Sequence, residues 1–431
     1  MSEYACEAMT GTVIVVNDVA HVNGGTAQVA LLGANGLASL GYKVYLFTAT
    51  PPAADSANLR SGVEVVCTDQ QEILHDSSRI RASVQGLWNF RAAKLLDRLL
   101  SKCKRENTII HLHGWTKALS SSVAKTAMEN NFAIVCTIYD YFLACPNGGF
   151  YNFQNNRICK LKPLSLDCIR DNCDVRNYGH KLWRVARQAV QRNIGAMPSG
   201  IKNFIACSEM SLEVMRPFLP LDCKIHWVPN PINVARQEIV DAGSNDSFTF
   251  VGRMSPEKGP SLLARAARRL GCAVTFVGEG ICSDDVRSIY REANITGWIA
   301  SNRVQEFLKR ARALVFPSLW CEVQGLVVLE AAALGIPAIV PDTAATREMV
   351  IDGVTGLWFK GGDEDDLVNK MTVLQNADTA GKLGRAAYDK YWANPASVQS
   401  HVEQLDICYQ DILQSNSQSL IRRNRPPDSH F

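Results

Sequence analysis

Two segments carry the most informative residues of this chain: residues 250–259, Phe-Val-Gly-Arg-Met-Ser-Pro-Glu-Lys-Gly, and residues 320–330, Trp-Cys-Glu-Val-Gln-Gly-Leu-Val-Val-Leu-Glu. The first segment is typical of a strand that ends in a turn, which brings Arg253 and Lys258 to one place. Two cations at the end of a parallel strand suit a diphosphate, because they compensate its charge without a committed metal ion. Glu322 and Glu330 in the second segment can accept hydrogen bonds from separate hydroxyl groups. A diphosphate plus a polyol indicates a sugar nucleotide.

Outside these segments, strands and helices alternate along the chain. The β-branched run Thr12–Val16 is typical of a buried parallel strand, and a helix is predicted from Thr26 to Leu40. Further strands are predicted at Lys43–Thr48, Asn107–Leu112, Ala133–Ile138, Asn203–Cys207, Phe248–Val251, Ala273–Val277, Ala313–Phe316 and Pro337–Val340. This alternation predicts an α/β protein with doubly wound sheets.

The motifs, taken in the order in which they occur along the chain, resemble those of retaining glycosyltransferases of family four. The resemblance runs from the glycine loop at Gly24 to the region of Trp392, and it is most specific from Phe316 through Pro337. It implies the GT-B fold, in which two Rossmann-like doubly wound domains face a cleft.

Chain length also predicts two domains, because 431 residues exceed what one hydrophobic core usually supports. The stiff connector Val228–Ile232, with two prolines, marks the predicted boundary. We predict an acceptor-side domain at 1–230 with an insertion at 140–180, and a nucleotide-sugar domain at 231–385. The resemblance implies a crossover helix region at 386–414, in which a helix around Ala386–Trp392 returns to the first domain. The polar tail, residues 415–431, is predicted to be disordered.

The resemblance assigns roles to the charged residues. Arg253 and Lys258 would hold the diphosphate and stabilise the charge that develops when the glycosidic bond breaks. Glu330 would bind the ribose hydroxyls, and Glu322 would bind the donor hexose and stabilise an oxocarbenium-like state. His113, in His111-Leu-His-Gly-Trp, would position the donor sugar; a packing role is the alternative for a single histidine.

Paired glycines before the predicted first helix provide backbone N–H groups at its positive end. Their spacing does not fit the dinucleotide fingerprint. In the family this loop lies across the cleft from the donor phosphates, so Gly25 and Thr26 are contact candidates. The remaining candidates for donor binding are Glu279, Gly325 and Leu326.

The insertion departs from the α/β alternation. A subset of the family has a His-Asp-Tyr element here, but Tyr139 replaces the histidine, which argues against an acid/base role at this position. Asp140 remains a candidate for binding acceptor hydroxyls. Four cysteines follow without a Cys-x-x-Cys pair, so they are either separate buried thiols or a structural zinc site. These are Cys145, Cys159, Cys168 and Cys173.

The basic run Arg79–Arg105 contains eight Lys and Arg residues against one acidic residue, Asp97. Trp88 and Phe90 lie within it. Such a run could bind an anionic acceptor, for example a polyprenyl diphosphate saccharide as the resemblance implies, or the surface of an anionic membrane. A solvated helix face is the alternative. No nucleic-acid partner is expected.

Several general features bear on location and cofactors. No apolar run reaches the roughly 18 residues that a membrane span needs, and the N-terminus lacks a secretory-signal pattern. Fourteen scattered cysteines are typical of reduced thiols in a cytoplasm. No Asp-x-Asp element follows a suitable strand, so no catalytic metal is expected, and the donor is the only small molecule required.

The sequence therefore predicts a cytoplasmic, metal-independent retaining glycosyltransferase, peripheral on the inner face of the membrane if its acceptor is lipid-linked. It would transfer a hexose from a nucleoside diphosphate sugar to an acceptor hydroxyl in polysaccharide or glycolipid biosynthesis. Two alternatives remain: a sugar-nucleotide epimerase of the same fold, and a catalytically silent homologue that acts as a binding subunit.

Overall fold

A computed structural model describes residues 11–52 and 59–423. The first half of the chain contains these strands: Thr12–Val16 (β1), Lys43–Thr48 (β2), Val63–Cys67 (β3), Thr108–Leu112 (β4), Ala133–Thr137 (β5), Tyr151–Asn152 (β6), Arg157–Ile158 (β7), Asn203–Ala206 (β8) and Lys224–Trp227 (β9). Its helices are Gly25–Ser39 (α1), Arg79–Leu87 (α2), Phe90–Leu100 (α3), Ser122–Glu129 (α4), Leu166–Arg170 (α5), Tyr178–Asn193 (α6) and Glu209–Met215 (α7).

The second half has the same alternation. Its strands are Ser247–Val251 (β10), Val274–Val277 (β11), Asn294–Ile295 (β12), Ala311–Val315 (β13), Ala338–Pro341 (β14) and Gly356–Phe359 (β15). Its helices are Pro260–Leu270 (α8), Ser283–Ile289 (α9), Val304–Leu308 (α10), Leu326–Leu334 (α11), Glu364–Gln375 (α12), Ala377–Ala393 (α13) and Val398–Arg423 (α14).

Two parallel sheets organise these elements. The first has seven strands in the order β3-β2-β1-β4-β5-β8-β9, and the second has six in the order β12-β11-β10-β13-β14-β15. In both sheets the chain starts at an inner strand and winds outward in two directions, which is the doubly wound arrangement. Residues Val13–Val16 of β1 are at most 1% exposed, because helices cover both faces of the sheet. The carboxyl ends of neighbouring strands therefore provide the loops that border the cleft.

The predicted strands agree closely with the structure, but weaker ones were missed. The sequence analysis did not predict the edge strands β3, β9, β12 and β15. Insertion residues 140–180 form the short hairpin β6–β7, the helix α5 and the beginning of α6.

The prediction that a helix around Ala386–Trp392 returns to the first domain is wrong. These residues belong to α13, where Trp392 Nε1 donates a hydrogen bond to the carbonyl of Ala333 in α11 at 3.0 Å. The helix that packs on the first domain is α14, whose buried Leu405 and Tyr409 join the core formed by β1 and α1. The apolar stripe of α14 was overlooked because polar residues separate its members.

The predicted disordered tail is also wrong in part. Residues 415–423 are helical, since α14 continues through them, and residues 424–431 lie outside the described part of the chain. Among the helices of residues 11–52 and 59–423, none has the length and apolar character needed to cross a bilayer.

Candidate active site

Three loops at the carboxyl ends of β11, β10 and β13 come into close contact. A methyl group on Gly278 would lie 2.1 Å from the carbonyl oxygen of Gly252, and one on Gly280 would lie 2.3 Å from that of Met254. Only glycine fits at these two positions. The Met254 N–H donates to the Glu279 carbonyl at 2.8 Å, so the backbone of Glu279 lies beside the loop that carries Arg253.

Lys258 and Glu322 form a direct ion pair between Nζ and Oε1. The Ser318 hydroxyl donates to the same carboxylate oxygen at 3.1 Å. The Lys258 ammonium also lies 5.4 Å from the centre of the Trp320 ring, within the range of a cation–π contact. The side chains of Lys258 and Glu322 are 24% and 7% exposed, so the pair is largely shielded from water. The structure thus brings together the cation predicted for the diphosphate and the carboxylate predicted for the hexose.

Arg253 is oriented by a carboxylate that sequence reasoning missed. Its Nη2 lies 3.2 Å from Oε1 of Glu257, and the Ser255 hydroxyl donates to that oxygen at 2.7 Å. Glu257 is buried, whereas the Arg253 side chain is 71% exposed, so the guanidinium can reach beyond its partner. The sequence did offer a sign of this role, because Glu257 lies between Arg253 and Lys258, the two cations predicted to bind phosphate.

Gly325 precedes the first turn of α11, and no side chain caps this end of the helix. The backbone N–H groups near Gly325 and Leu326 therefore lie at an end that favours anions. Glu330 follows Leu326 by four residues and lies on the same face of α11. Burial raises the pKa of the Glu330 carboxyl to about 7.

The first domain reaches this helix through its glycine loop. A methyl group on Gly25 would lie 3.6 Å from Cδ1 of Leu326. Gly24 precedes α1 and provides no side-chain cap, and Gly25 and Thr26 lie in the first turn of the helix. The N-terminal ends of α1 and α11, from different domains, therefore meet across the cleft.

His113 lies directly after β4, where its N–H donates to the Val16 carbonyl at 2.9 Å. Its Nδ1 is 3.0 Å from the Tyr139 hydroxyl, and the two rings stack with centres 5.5 Å apart. Burial, with a smaller effect of His401, lowers the pKa of His113 to about 3, so the imidazole is neutral at physiological pH. Tyr139, which replaces the histidine of the family subset, is therefore a positioning residue for His113.

His111 lies against His113, with ring centres 3.9 Å apart, and is held by two hydroxyl groups. Its two ring nitrogens lie 2.7 Å from the hydroxyls of Tyr409 and Thr137. Since Tyr409 belongs to α14, His111 links the returning helix to the first sheet.

Asp140 follows β5, next to the strand that carries His113. Its Oδ1 accepts a hydrogen bond from the Phe142 N–H at 3.0 Å, and burial raises the pKa of its carboxyl to about 6. Further along the insertion, a methyl group on Gly149 would lie 3.0 Å from the Trp320 ring. The insertion therefore packs against the residue that lies beside Lys258.

Direct contacts hold the two domains together near this cleft. The Ser208 hydroxyl donates to the Val323 carbonyl at 2.7 Å. The Glu348 carboxylate accepts hydrogen bonds from the N–H groups of Glu209 and Met210 at 3.0 and 2.8 Å, at the start of α7. The first of these contacts involves the loop that carries Glu322.

Within residues 11–52 and 59–423, no group of three or more His, Cys, Asp or Glu residues is arranged to hold a metal ion. Cys145, Cys159, Cys168 and Cys173 form no disulfide bond; Cys159 is partly exposed, and the other three are buried.

Comparison with known proteins agrees with this geometry. The family Glycosyltransferase Family 4 matches residues 23–236, and Glycosyl transferases group 1 matches residues 233–390. The chain belongs to the family-four glycosyltransferases, as the motifs predicted.

Among curated relatives, the glycogen synthase of Mycobacterium tuberculosis is 30% identical over 219 residues, which are 46% of this chain and 53% of that protein. An Escherichia coli relative, UDP-Gal:alpha-D-GlcNAc-diphosphoundecaprenol alpha-1,3-galactosyltransferase, is 25% identical over 38% of this chain and 46% of its own length. The chain thus spans about half the length of these relatives or less.

Solved structures extend the match to nearly the whole chain. Anabaena HepE in complex with UDP has a TM-score of 0.63 and 14% identity, and the match covers 93% of this chain and 100% of HepE. This similarity confirms the predicted GT-B fold.

Proposed function

We propose that this protein is a retaining glycosyltransferase that moves a hexose from a nucleoside diphosphate sugar to an acceptor hydroxyl in polysaccharide or glycolipid biosynthesis. The Lys258–Glu322 ion pair supports this proposal, because the cation proposed for the diphosphate lies beside the carboxylate proposed for the hexose. The complex of HepE with UDP-glucose suggests a uridine donor for that protein, and we extend the suggestion to this chain.

In the proposed reaction, the bond between the anomeric carbon and the diphosphate oxygen breaks, and its electrons go to that oxygen. Arg253 and Lys258 stabilise the negative charge, together with the N–H groups of Gly325 and Leu326. The first turn of α1, at Gly25 and Thr26, approaches the diphosphate from the opposite side of the cleft. The acceptor hydroxyl attacks from the face that the diphosphate leaves, which retains the configuration, and its proton passes to the departing oxygen.

The remaining candidates position the substrates. Glu322 binds the hexose and stabilises its developing positive charge, and Glu330 binds the ribose hydroxyls. Glu279 contacts the nucleotide beside Arg253. His113, neutral and held by Tyr139, hydrogen-bonds to the donor sugar without adding a positive charge near an oxocarbenium-like state. Asp140 binds acceptor hydroxyls.

One experiment distinguishes the transferase from the two alternative functions, a sugar-nucleotide epimerase and a catalytically silent binding subunit. The purified chain is incubated with a panel of labelled sugar nucleotides, with and without candidate acceptors. Transfer predicts release of free nucleoside diphosphate together with a labelled acceptor product. An epimerised sugar in the absence of acceptor would favour the epimerase, and binding of a donor without any turnover would favour the silent homologue.

Activity is expected to be independent of a divalent metal, because Arg253, Lys258 and two helix N-termini supply the positive charge for the diphosphate. Turnover should therefore be the same in excess EDTA as in added magnesium or manganese. An activity that EDTA abolishes and either ion restores would contradict this prediction.

Donor affinity should depend on pH through Glu330. The carboxylate accepts hydrogen bonds from ribose hydroxyls best when ionised, and its pKa of about 7 means that it becomes protonated as the pH falls below neutrality. The KM for the donor is therefore expected to rise between pH 8 and pH 6, roughly in proportion to the protonated fraction. Glu330→Gln should have a high KM that does not vary over this range; an unchanged pH dependence in the variant would assign the effect to another group.

We propose that the acceptor is a lipid-linked saccharide and that the protein, cytoplasmic in location, binds peripherally to the inner face of the membrane. The Escherichia coli relative acts, by its name, on a diphosphoundecaprenol saccharide. On α3 of this chain, Arg91, Lys94 and Arg98 are exposed at spacings that place them on one side of the helix. Phe90 beside them is 71% exposed, and Ile80 on α2 is 80% exposed. A cationic surface with protruding apolar residues suits an anionic membrane.

Vesicle flotation tests this surface. The protein should float with anionic vesicles at low salt and lose this association when Arg91, Lys94 and Arg98 are changed to Glu, since each cation contributes only about 1 kcal/mol. The matched control changes Arg291, Lys309 and Arg310, which are exposed cations of the second domain. Equal loss of binding in both variants would show that net charge alone is responsible.

A further inference from the structure

A groove of about 770 Å³ runs along the insertion of the first domain. Its walls come from the insertion, from the last turns of α6 and from the segments that follow α6 and α7. The groove is therefore separate from the donor site, which the second domain builds at the ends of β10, β11 and β13. Its volume lies in the range of pockets that bind small molecules.

Three cations line this groove, and we refer to them as the cationic rim: Lys160, Lys162 and Arg192. All three side chains are exposed. Among the described residues, no Asp or Glu lines the groove, and no carboxylate forms an ion pair with any of the three. A groove that carries only positive charge favours an anion, and lysine and arginine together suit phosphate oxygens in particular.

The interior of the groove is apolar, and we call its buried or partly buried members the apolar floor: Leu143, Phe150, Phe218 and Leu219. The rings of Phe150 and Phe218 stack with their centres 5.6 Å apart. A free saccharide or an inorganic anion would gain nothing from such a floor, because neither has apolar surface to bury. The combination of rim and floor therefore suits a molecule that joins a phosphate head to a hydrocarbon chain.

One segment of the insertion connects the groove with the candidate active site. Leu143 of the floor follows Asp140, the acceptor candidate, by three residues. Phe150 of the floor follows Gly149, on which a methyl group would lie 3.0 Å from the Trp320 ring. Residues 140–150 thus form a wall of the groove and also contact the residue that lies beside the Lys258 ammonium. A ligand in the groove can extend along this segment to the donor site.

We propose that the groove binds the prenyl diphosphate part of a lipid-linked acceptor, with the diphosphate on the cationic rim and the first isoprene units on the apolar floor. The inference rests on the proposed function and deepens it, because it assigns a recognition site to the lipid diphosphate of the acceptor. The saccharide end then extends past Asp140 to the donor sugar. No bond forms or breaks in the groove; binding there holds the acceptor hydroxyl close to the donor.

Calorimetric titration of the full chain with farnesyl diphosphate, a soluble prenyl diphosphate, tests the site. Affinity should increase from inorganic diphosphate through isopentenyl diphosphate to farnesyl diphosphate, since each isoprene unit covers more of the apolar floor. The combined variant Lys160→Gln/Lys162→Gln/Arg192→Gln should bind farnesyl diphosphate about tenfold more weakly or worse, because it loses the charge-assisted contacts. An affinity that does not depend on chain length would overturn the proposal, and so would unchanged binding by this variant.

A matched control changes three exposed cations of the second domain, Arg291, Lys309 and Arg310, to Gln. This variant should bind farnesyl diphosphate as the wild type does, and equal weakening in the two variants would show that net charge alone is responsible. Dihexanoylphosphatidylglycerol supplies an anionic lipid without a diphosphate and should bind much more weakly. Equal affinity for this phospholipid would overturn the assignment to a prenyl diphosphate.

Two further titrations locate the ligand. Saturating UDP should not displace farnesyl diphosphate, because UDP occupies the separate donor site; displacement would assign the binding to that site instead. The α3 variant with Arg91, Lys94 and Arg98 changed to Glu should bind farnesyl diphosphate like the wild type. Loss of binding in this variant would move the ligand from the groove to the proposed membrane surface.

Kinetics separates this inference from the proposed function. The variant of the cationic rim should have a KM for a prenyl-diphosphate-linked saccharide that is raised several-fold, whereas its KM for the donor should be unchanged. Transfer to such an acceptor by a protein that does not bind farnesyl diphosphate would overturn the groove assignment and leave the proposed function in place. Binding in the groove without transfer to any acceptor would contradict the proposed function, while the titrations would still support the site.

Discussion

Replacing Lys258 with methionine should lower turnover of the donor by about 30- to 1,000-fold, which corresponds to roughly 2–4 kcal/mol of lost transition-state stabilisation. Methionine keeps the unbranched side chain over the Trp320 ring and removes the charge. The loss should appear in kcat as well as in KM, because the charge on the diphosphate increases as the glycosidic bond breaks. Steady-state kinetics over a range of donor concentrations measures both.

The matched comparison uses the partner residue. Glu322→Gln should also be strongly impaired, and the double variant should lose less than the sum of the two single losses, since the groups are in contact. Arg287→Met, an exposed arginine on α9, is the control for loss of a surface cation. If Lys258→Met turned over the donor at the wild-type rate, the assignment of Lys258 to the diphosphate would be wrong.

Acid should destabilise the fold well above the pH at which most carboxylates titrate. Burial lowers the pKa of His113 to about 3 and of His401 to about 4, and that of His111 well below its usual value. The unfolded chain, with histidine pKa values of about 6.5, therefore binds more protons than the folded chain as the pH falls below this value. Each histidine then lowers the free energy of unfolding by up to about 1.4 kcal/mol per pH unit.

Three carboxyl groups act in the opposite direction. Burial raises the pKa of Glu330 to about 7, that of Asp140 to about 6 and that of Asp18 above its usual value, so their protonation stabilises the folded state. Burial also lowers the pKa of His226, and the four histidines together outweigh the carboxyl groups, so a net loss of about a few kcal/mol is expected between pH 7 and pH 4.5. Urea unfolding at both pH values measures it. His401→Gln should reduce the loss, and the exposed His75→Gln should not; an equal loss in wild type and His401→Gln would contradict the assignment.

The sequence by itself determined the fold class and singled out the candidate donor residues. Buried parallel strands are continuous apolar runs, so β1, β4, β5 and β10 were visible without any knowledge of their neighbours. Arg253, Lys258, Glu322 and Glu330 were visible because each lies at the end of such a strand or at the beginning of the next helix, where parallel sheets present functional groups.

Only the tertiary structure decided which groups meet. Lys258 and Glu322 are 64 residues apart, and their ion pair exists because β10 and β13 are neighbours in the sheet. The meeting of Gly25 with Leu326 likewise depends on how the two domains close. The roles of Glu257 and Tyr139 were hidden because a carboxylate or a phenol gives no local sign of the group that it orients. Helix α14 was misjudged because its apolar stripe can be recognised only against the sheet that it covers. A short segment shows the periodicity of its apolar residues and so predicts a helix or a strand. Long-range contacts depend on the order of strands in the sheet and on how the domains close, which no short segment determines.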